Sequence, residues 1–382
     1  MSLLNLPNEV LLLIIESLPN AEDVLSILRA SSRIYAIQQM GPLYKHDIEV
    51  SGGSSLLWYS RHGYKSAIEA LLKRGADVEC RDGDKDGQTP LICAASSGHL
   101  DVVRLLIERG ADIHSEGCYG YTPVIYAAKN GHEDVVGLLL AMGAYVQRGD
   151  YGGGTPLIHA AINGHEGVVG LLLENGAGLE DSDDAGLTPM IYAAKNGQAG
   201  VVKLLLEKGA DLMRGDDQGR RPLAYAAAGG HECVVRLLLE KGADPGHGDG
   251  TDPRHDSIPL LCAITQENEH VVRLLLDTGA GLECRDEEGF TPLIWATLQE
   301  HVGIVQLLLK SGVNLNCQDD EGNTALIYAA SYGYEDLVML LLDKGADMKC
   351  KNSFGMTALE CAAQGEHQNV VSLMLEYGAE DG

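Results

Sequence analysis

The chain is short of basic residues: 28 Lys and Arg stand against 55 Asp and Glu, for a formal charge of −27. That balance excludes a binder of nucleic acid or anionic membrane, since both surfaces call for basic patches. A basic partner, or one not chosen by charge, is expected instead. Large aromatics are scarce too, with two Phe and two Trp in 382 residues. A core must then come from Leu, Ile, Val and Ala, and a hydrophobic content of 45% is ample for one. No apolar run is long enough to span a bilayer. The longest near the start, Val10 to Ile15, lies between Glu9 and Glu16 with no Lys or Arg ahead of it, which is not the pattern of a secretory signal. The chain is therefore expected in the cytoplasm, the nucleus or both.

Catalytic motifs are missing as well. There is no GxSxG, HExxH or phosphate-loop pattern, and Gly152-Gly153-Gly154 lacks the following lysine that a phosphate loop uses. Neither CxxC nor CxxH occurs, so no zinc site and no other metal site is expected. Cys284, Cys317 and Cys350 are spaced 33 residues apart. Stacked helical units lie about 8–10 Å apart, beyond the roughly 7 Å between Cα atoms that a disulfide tolerates. The nine cysteines read as small buried or loop thiols. No catalytic residue, no cofactor and no enzymatic activity of this chain alone is expected.

What is present is repetition, which decides the fold. Thr89-Pro90, Thr122-Pro123, Thr155-Pro156 and Thr188-Pro189 recur every 33 residues, and Arg221-Pro222 keeps the phase. Ile258-Pro259 arrives four residues late, after an insertion around HGDGTDPRHDS. Thr291-Pro292, Thr324-Ala325 and Thr357-Ala358 then resume the step, and Ser54-Ser55 opens a worn first copy, making ten units. Within a unit, Thr serves as N-cap and Pro as first helical residue. Two small alanines follow, then Gly-His breaks the chain, and Val-Val-x-Leu-Leu-Leu forms a second helix. A glycine such as Gly110 or Gly143 ends it in the left-handed conformation. His99, His132, His165, His231 and His301 share one place in their units. A metal needs its ligands about 2 Å from one ion, so this ladder is read as histidines bracing the turn between helices.

Thirty-three residues with Thr-Pro-Leu, Ala-Ala, Gly-His, Leu-Leu-Leu and Gly-Ala-Asp in order resemble the ankyrin repeat, over about residues 54 to 379. The resemblance implies an all-α solenoid of helix pairs joined by hairpin loops, each unit packing on its neighbours. One departure stands out. The family has His after Thr-Pro-Leu, where this chain has Ile92, Ile125, Ile158, Ile191, Ala224 or Ile294, so the loop-bracing bond of that His is not available from that position.

Residues 1–48 belong to no repeat. Pro7 opens a helix on which Val10, Ile14 and Leu18 share a face with Leu11 and Ile15 beside it, and Pro19 ends it. Val24, Leu25, Ile27 and Leu28 mark a second helix, and Ile34, Tyr35 and Ile37 a third. Three short helices offer too little chain to cover so much apolar surface. Either they cap the first repeat or another protein covers them. Leu6-Pro7-x-Glu9-Val10, Ile14, Leu18, Asp23-Val24-Leu25 and Ser32-Arg33-x-Tyr35 resemble the F-box, and Leu43-Tyr44-Lys45-His46 is similar to the tail that follows it in fungal F-box proteins carrying ankyrin arrays. The resemblance implies that this segment binds the Skp-type adaptor of a cullin-based ubiquitin ligase through Leu6, Pro7, Val10, Ile14 and Leu18, with Leu25 and Leu28 behind them.

The domains are thus expected as an F-box-like 1–48 and an ankyrin array over 49–382. The array would hold a client protein, basic if it is chosen by charge, and the chain would be a monomer outside the complex. Ankyrin arrays read partners with their fingertips and the ends of their first helices. That places candidate client contacts at Tyr119, Tyr121 and Tyr151 on fingertips, and at Lys129, Asn130, Asn163, Lys195, Asn196, Leu298 and Tyr332 on helix ends. Mid-helix aromatics at Tyr126, Tyr192, Tyr225, Trp295 and Tyr328 are expected mainly to pack between repeats, with a groove lining as the other option. The alternative function is a ligase-independent interaction scaffold with residues 1–48 as its cap; an enzyme of unrecognised type stands behind both.

Overall fold

The computed structural model describes residues 54–81, 87–246 and 258–378. The F-box-like segment, with Leu6, Pro7, Val10, Ile14, Leu18, Leu25 and Leu28, lies outside the described residues, as does the insertion at 247–257. Among the described residues the chain is helix and loop, in two compact units divided between Asp184 and Ala185.

The first unit holds four helix pairs: α1 (Ser54–His62) with α2 (Lys65–Lys73), α3 (Pro90–Ser96) with α4 (Leu100–Glu108), α5 (Pro123–Lys129) with α6 (Glu133–Ala141), and α7 (Pro156–Asn163) with α8 (Glu166–Glu174). The second holds six. They are α9 (Pro189–Lys195) with α10 (Ala199–Glu207), α11 (Pro222–Ala228) with α12 (Glu232–Glu240), and α13 (Pro259–Thr265) with α14 (Glu269–Asp277). Then follow α15 (Pro292–Leu298) with α16 (Val302–Lys310), α17 (Ala325–Tyr332) with α18 (Glu335–Asp343), and α19 (Ala358–Gln364) with α20 (Gln368–Glu376). The worn first copy is thus a helix pair like the others.

Where a Thr precedes the first helix, the helix begins as that Thr dictates. The Thr89 hydroxyl accepts the Ile92 N–H at 3.3 Å, and Thr122, Thr155, Thr188, Thr291 and Thr324 cap in the same way. Loss of such a cap costs about 1 kcal/mol. Thr357 adds a reciprocal capping box with Glu360, while Arg221 and Ile258 give no side-chain cap. Second helices end as expected, with Gly110 and Gly143 at φ 88° and 95°. Leu91, Ile92, Ala94 and Ala95 are fully buried against Val103 and Leu106, and the same positions repeat along both units. Burying each Leu, Ile or Val contributes about 1.5–3 kcal/mol, and the alanines let paired helices approach. Thr297, in an alanine position, is also fully buried and donates its hydroxyl to the Leu293 carbonyl at 2.7 Å, which satisfies it.

The histidine ladder braces the stack across repeats. His99 Nε2 lies 3.0 Å from the Arg61 carbonyl, His132 from Ser96 and His165 from Lys129 at the same distance, and His231 and His367 lie 2.9 Å from Lys195 and Ser331. Each imidazole therefore ties its own turn to the orphan carbonyls at the end of the preceding first helix. In each of these cases the residue that the imidazole passes is a left-handed glycine: Gly63, Gly98, Gly131, Gly197 or Gly333. A Cβ on those glycines would meet the ring at 2.5–2.8 Å, closer than atoms pack. His301 departs from the pattern, because Glu267 (φ 56°) occupies the glycine position before it.

Candidate functional site

The fingertip hairpins are rigid for a reason visible at the start of each. Asp216 Oδ1 accepts the N–H groups of Gln218 and Arg220, both at 2.9 Å. Asp150, Asp286, Asp319 and Asn352 hold their own hairpins by the same two bonds, to residues two and four further on. The second carboxylate oxygen is taken from the first helix, nine residues on. His159 Nε2 reaches Asp150 at 2.7 Å, and the Tyr225 hydroxyl, the Trp295 Nε1–H and the Tyr328 hydroxyl donate to Asp216, Asp286 and Asp319 at 2.6 Å. The loop-bracing bond missing after Thr-Pro-Leu is therefore present, carried by the next residue. Three of the mid-helix aromatics expected mainly to pack between repeats, Tyr225, Trp295 and Tyr328, are thus also braces of their fingertips, their polar atoms spent on a buried carboxylate.

Adjacent fingertips are then strung together. Within the first unit Tyr151 N–H donates to the Tyr119 carbonyl at 2.9 Å, and Asp184 N–H to Gly152 at 3.0 Å. Within the second, Asp320 N–H donates to Glu288 and Ser353 N–H to Glu321. In three tips of the second unit the first acid is buried by this work: Asp216, Asp286 and Asp319 are 5–7% exposed. The following acids, Asp217, Glu287, Glu288, Asp320 and Glu321, are exposed.

In the first unit the structure brings together Tyr119, Tyr121, Lys129 and Tyr151. The Tyr121 ring makes edge contacts with Tyr126 and His159, with centroids 5.3 and 4.9 Å apart, and Lys129 Nζ lies 5.1 Å from the Tyr121 ring centre. Tyr119 and Tyr151 are 74% and 72% exposed on neighbouring tips, held there by backbone bonds. Ordered, exposed tyrosines suit a protein contact, because little entropy is lost when they are covered. Asn130 and Asn163 are exposed, but their amides donate to Ser96 and His159 carbonyls, and Asn196 likewise to Tyr192. These three act as clips on the helix ends.

In the second unit Lys195 Nζ lies 5.7 Å from the Tyr225 ring centre. Leu298 is half-buried, and Tyr332 is 55% exposed. Tyr332 stacks on Tyr328 (6.5 Å, 13°) and Tyr334 (5.7 Å, 21°), and Tyr328 meets Phe290 edge-on at 6.0 Å. Phe290 and Tyr334 were not expected at the surface contact. Tyr334 is legible as a departure from the His that holds its position in most repeats, whereas the Phe290 position varies from repeat to repeat and gives no such signal.

Charges follow burial. The His159 imidazole is held below the ordinary histidine range by burial, which outweighs the Asp150 carboxylate beside it, so it is neutral and donates to Asp150. Burial alone would raise the Asp216 carboxyl, but the Tyr225 hydroxyl and the Arg220 and Gln218 groups together hold it below the usual carboxylate range. Burial pushes the Cys80 and Cys284 thiols up to about 12, and burial with the Glu283 carboxylate pushes Cys317 up to about 11. Such thiols stay protonated at neutral pH and are poor nucleophiles. Among the described residues no group of three or more His, Cys, Asp or Glu is placed to hold a metal ion, and no helix is long and apolar enough to cross a membrane.

Comparison with known proteins agrees with this architecture. The chain matches the family described as ankyrin repeats (3 copies) over residues 30–117, 56–150, 113–183, 175–249, 247–319 and 301–381. No curated protein matches it. Among solved structures it is similar to the human ASB11 ankyrin repeat domain, at 30% identity and a TM-score of 0.53, over 59% of this chain and 98% of that one. Helix pairs, braced fingertips and family match together make the chain a member of the ankyrin-repeat family, whose arrays generally serve as non-enzymatic scaffolds for protein–protein interaction.

Proposed function

We propose that this chain is the substrate-recognition subunit of a Skp–cullin–F-box ubiquitin ligase, with residues 1–48 docking on the Skp-type adaptor and the array over 49–382 holding a client protein. The observation that carries the proposal is Leu6-Pro7-x-Glu9-Val10, with Ile14 and Leu18 in helical register, placed ahead of an ankyrin array. An excess of apolar surface on so short a segment calls for a partner helix. The exposed Tyr119 and Tyr151 supply the array with contact surface for the client.

The mechanism is proximity. Holding a client beside the charged conjugating enzyme raises the effective concentration of its lysines. This chain contributes no catalytic residue and no cofactor to that transfer. Its place of action is the cytoplasm, the nucleus or both, and outside the complex it is a monomer.

The test is capture of a purified Skp-type adaptor by the full chain, set beside the double variant Leu6→Ala/Pro7→Ala, with circular dichroism to show that both arrays are folded. Capture by the wild type and its loss in the variant supports the proposal. No capture by the wild type leaves a ligase-independent scaffold whose first residues act as a cap.

A further inference from the structure

Two cations of this chain lie on the face of Tyr225: Lys195 Nζ at 5.7 Å and the Arg220 guanidinium at 5.0 Å from the ring centre. Three repeats and the four-residue insertion later, Tyr328 stands in the same register and donates to Asp319 as Tyr225 donates to Asp216. Its surroundings have changed. Leu298 replaces Lys195 and Asn323 replaces Arg220, so both cations have become neutral. At the same time the aromatic surface has grown: Phe290, Tyr332 and Tyr334 stand where Leu187, Gly229 and His231 stand around Tyr225. Among the described residues no Lys or Arg of this chain lies over these four rings.

The electrostatic setting is one-sided. Lys310 is the sole Lys or Arg between residues 286 and 343, a stretch with ten Asp and Glu. The exposed Glu288 and Glu321 flank the fingertip end of the stripe, and Glu300, held at φ 58°, lies at its Tyr334 end. Aromatic faces attract cations, Arg above Lys, because guanidinium is planar and weakly hydrated. The spacing selects the shape of the visitor. Successive rings from Phe290 to Tyr328 to Tyr332 lie 6.0 and 6.5 Å apart. Side chains on one face of an extended peptide recur about every 6.6 Å, close to that interval.

We propose that the Phe290–Tyr328–Tyr332–Tyr334 stripe binds an extended segment of a partner protein in which Arg or Lys alternates with small residues, the partner's cations taking the place that Lys195 and Arg220 take on Tyr225. Nucleic acid carries the wrong charge for this surface, and so does a second copy of this chain. The proposal rests on the array's role in protein interaction and is independent of adaptor docking: a chain that binds the peptide below but captures no adaptor keeps this site and loses the ligase assignment.

The test uses the full chain and a fluorescently labelled peptide of five Gly-Arg repeats, with binding followed by anisotropy. Leu298→Lys returns a cation to the register of Lys195 and is expected to weaken binding about three- to tenfold, the worth of a competing cation–π contact. Met339→Lys adds the same charge on the exposed side of α18 and is expected to change affinity less than about twofold. Tyr332→Ala, which removes the exposed ring and leaves the Tyr328–Asp319 brace, is expected to weaken binding about as much as Leu298→Lys. A peptide with its five arginines contiguous should bind more weakly than the alternating one. The proposal is overturned if the wild type does not bind, if Met339→Lys weakens binding as much as Leu298→Lys, or if both Leu298→Lys and Tyr332→Ala leave it unchanged.

Discussion

His301 Nδ1 lies 3.7 Å from the Glu267 carboxylate, while its Nε2 is buried with no hydrogen-bond partner. The other histidines of the ladder spend Nε2 on a carbonyl 36 or 38 residues earlier, which for His301 would be Thr265. The cause is steric. Where those histidines pass a glycine, His301 passes a residue whose Cβ fills the space and whose backbone is forced to φ 56°. Glu267→Gly is expected to relieve the left-handed strain, worth about 1–2 kcal/mol, and to permit a bond worth about 1 kcal/mol. The extra freedom of glycine in the unfolded chain offsets about 0.4–1 kcal/mol. A rise in denaturant midpoint corresponding to about 1–2 kcal/mol, with an unchanged slope, is the outcome to look for. A fall in midpoint would show that the Glu267–His301 contact matters more than the lost carbonyl bond.

The bond from Tyr328 to Asp319 predicts a local effect. Tyr328→Phe leaves a buried carboxylate oxygen short of its donor, at a cost of about 1–3 kcal/mol. Because repeat arrays open piecemeal, the effect should be read where the brace acts. Amide exchange at Glu321 and Asn323, whose N–H groups bind the other oxygen of Asp319, should quicken. Exchange in α9 and α10 should stay as it was.

The neutral His159 makes the first unit sensitive to acid. Its pKa is lowered in the fold, so the folded state disfavours the protonated ring. That contribution is whole above the unfolded value of about 6.5. It is lost as pH falls through that value towards the folded one. Between pH 7.5 and 5.5, corrected for intrinsic exchange, the amides of Gly152 and Gly154 should lose protection in the wild type. In His159→Gln that pH-dependent loss should be smaller.

Much of the fold is legible in the sequence because most helix pairs carry their own punctuation, Thr-Pro caps or Gly-His breaks, and every second helix is followed by a glycine. These are local signals, and the structure honours them down to Ser54–His62 in the worn first copy. The fingertip brace was harder to foresee. Ile158 occupies the expected histidine position and His159 the next one, so a shift of one residue along the helix hid the donor; in other repeats a tyrosine or tryptophan took over its role. In the sequence the aromatics read as packing because spacing reveals the face of a helix but not where a hydroxyl ends. The loss at His301 depends on Glu267 in the preceding repeat, a contact that no local pattern announces.

If, as proposed, residues 6–28 dock an adaptor while the array keeps its surface for a client, the two functions separate by mutation. Titration calorimetry of a purified Skp-type adaptor into the full chain decides this. The expected result is saturable one-to-one binding that disappears in Leu6→Ala/Pro7→Ala and is the same in Leu298→Lys as in the wild type. Absence of binding by the wild type, or equal binding by wild type and the Leu6/Pro7 variant, would contradict it.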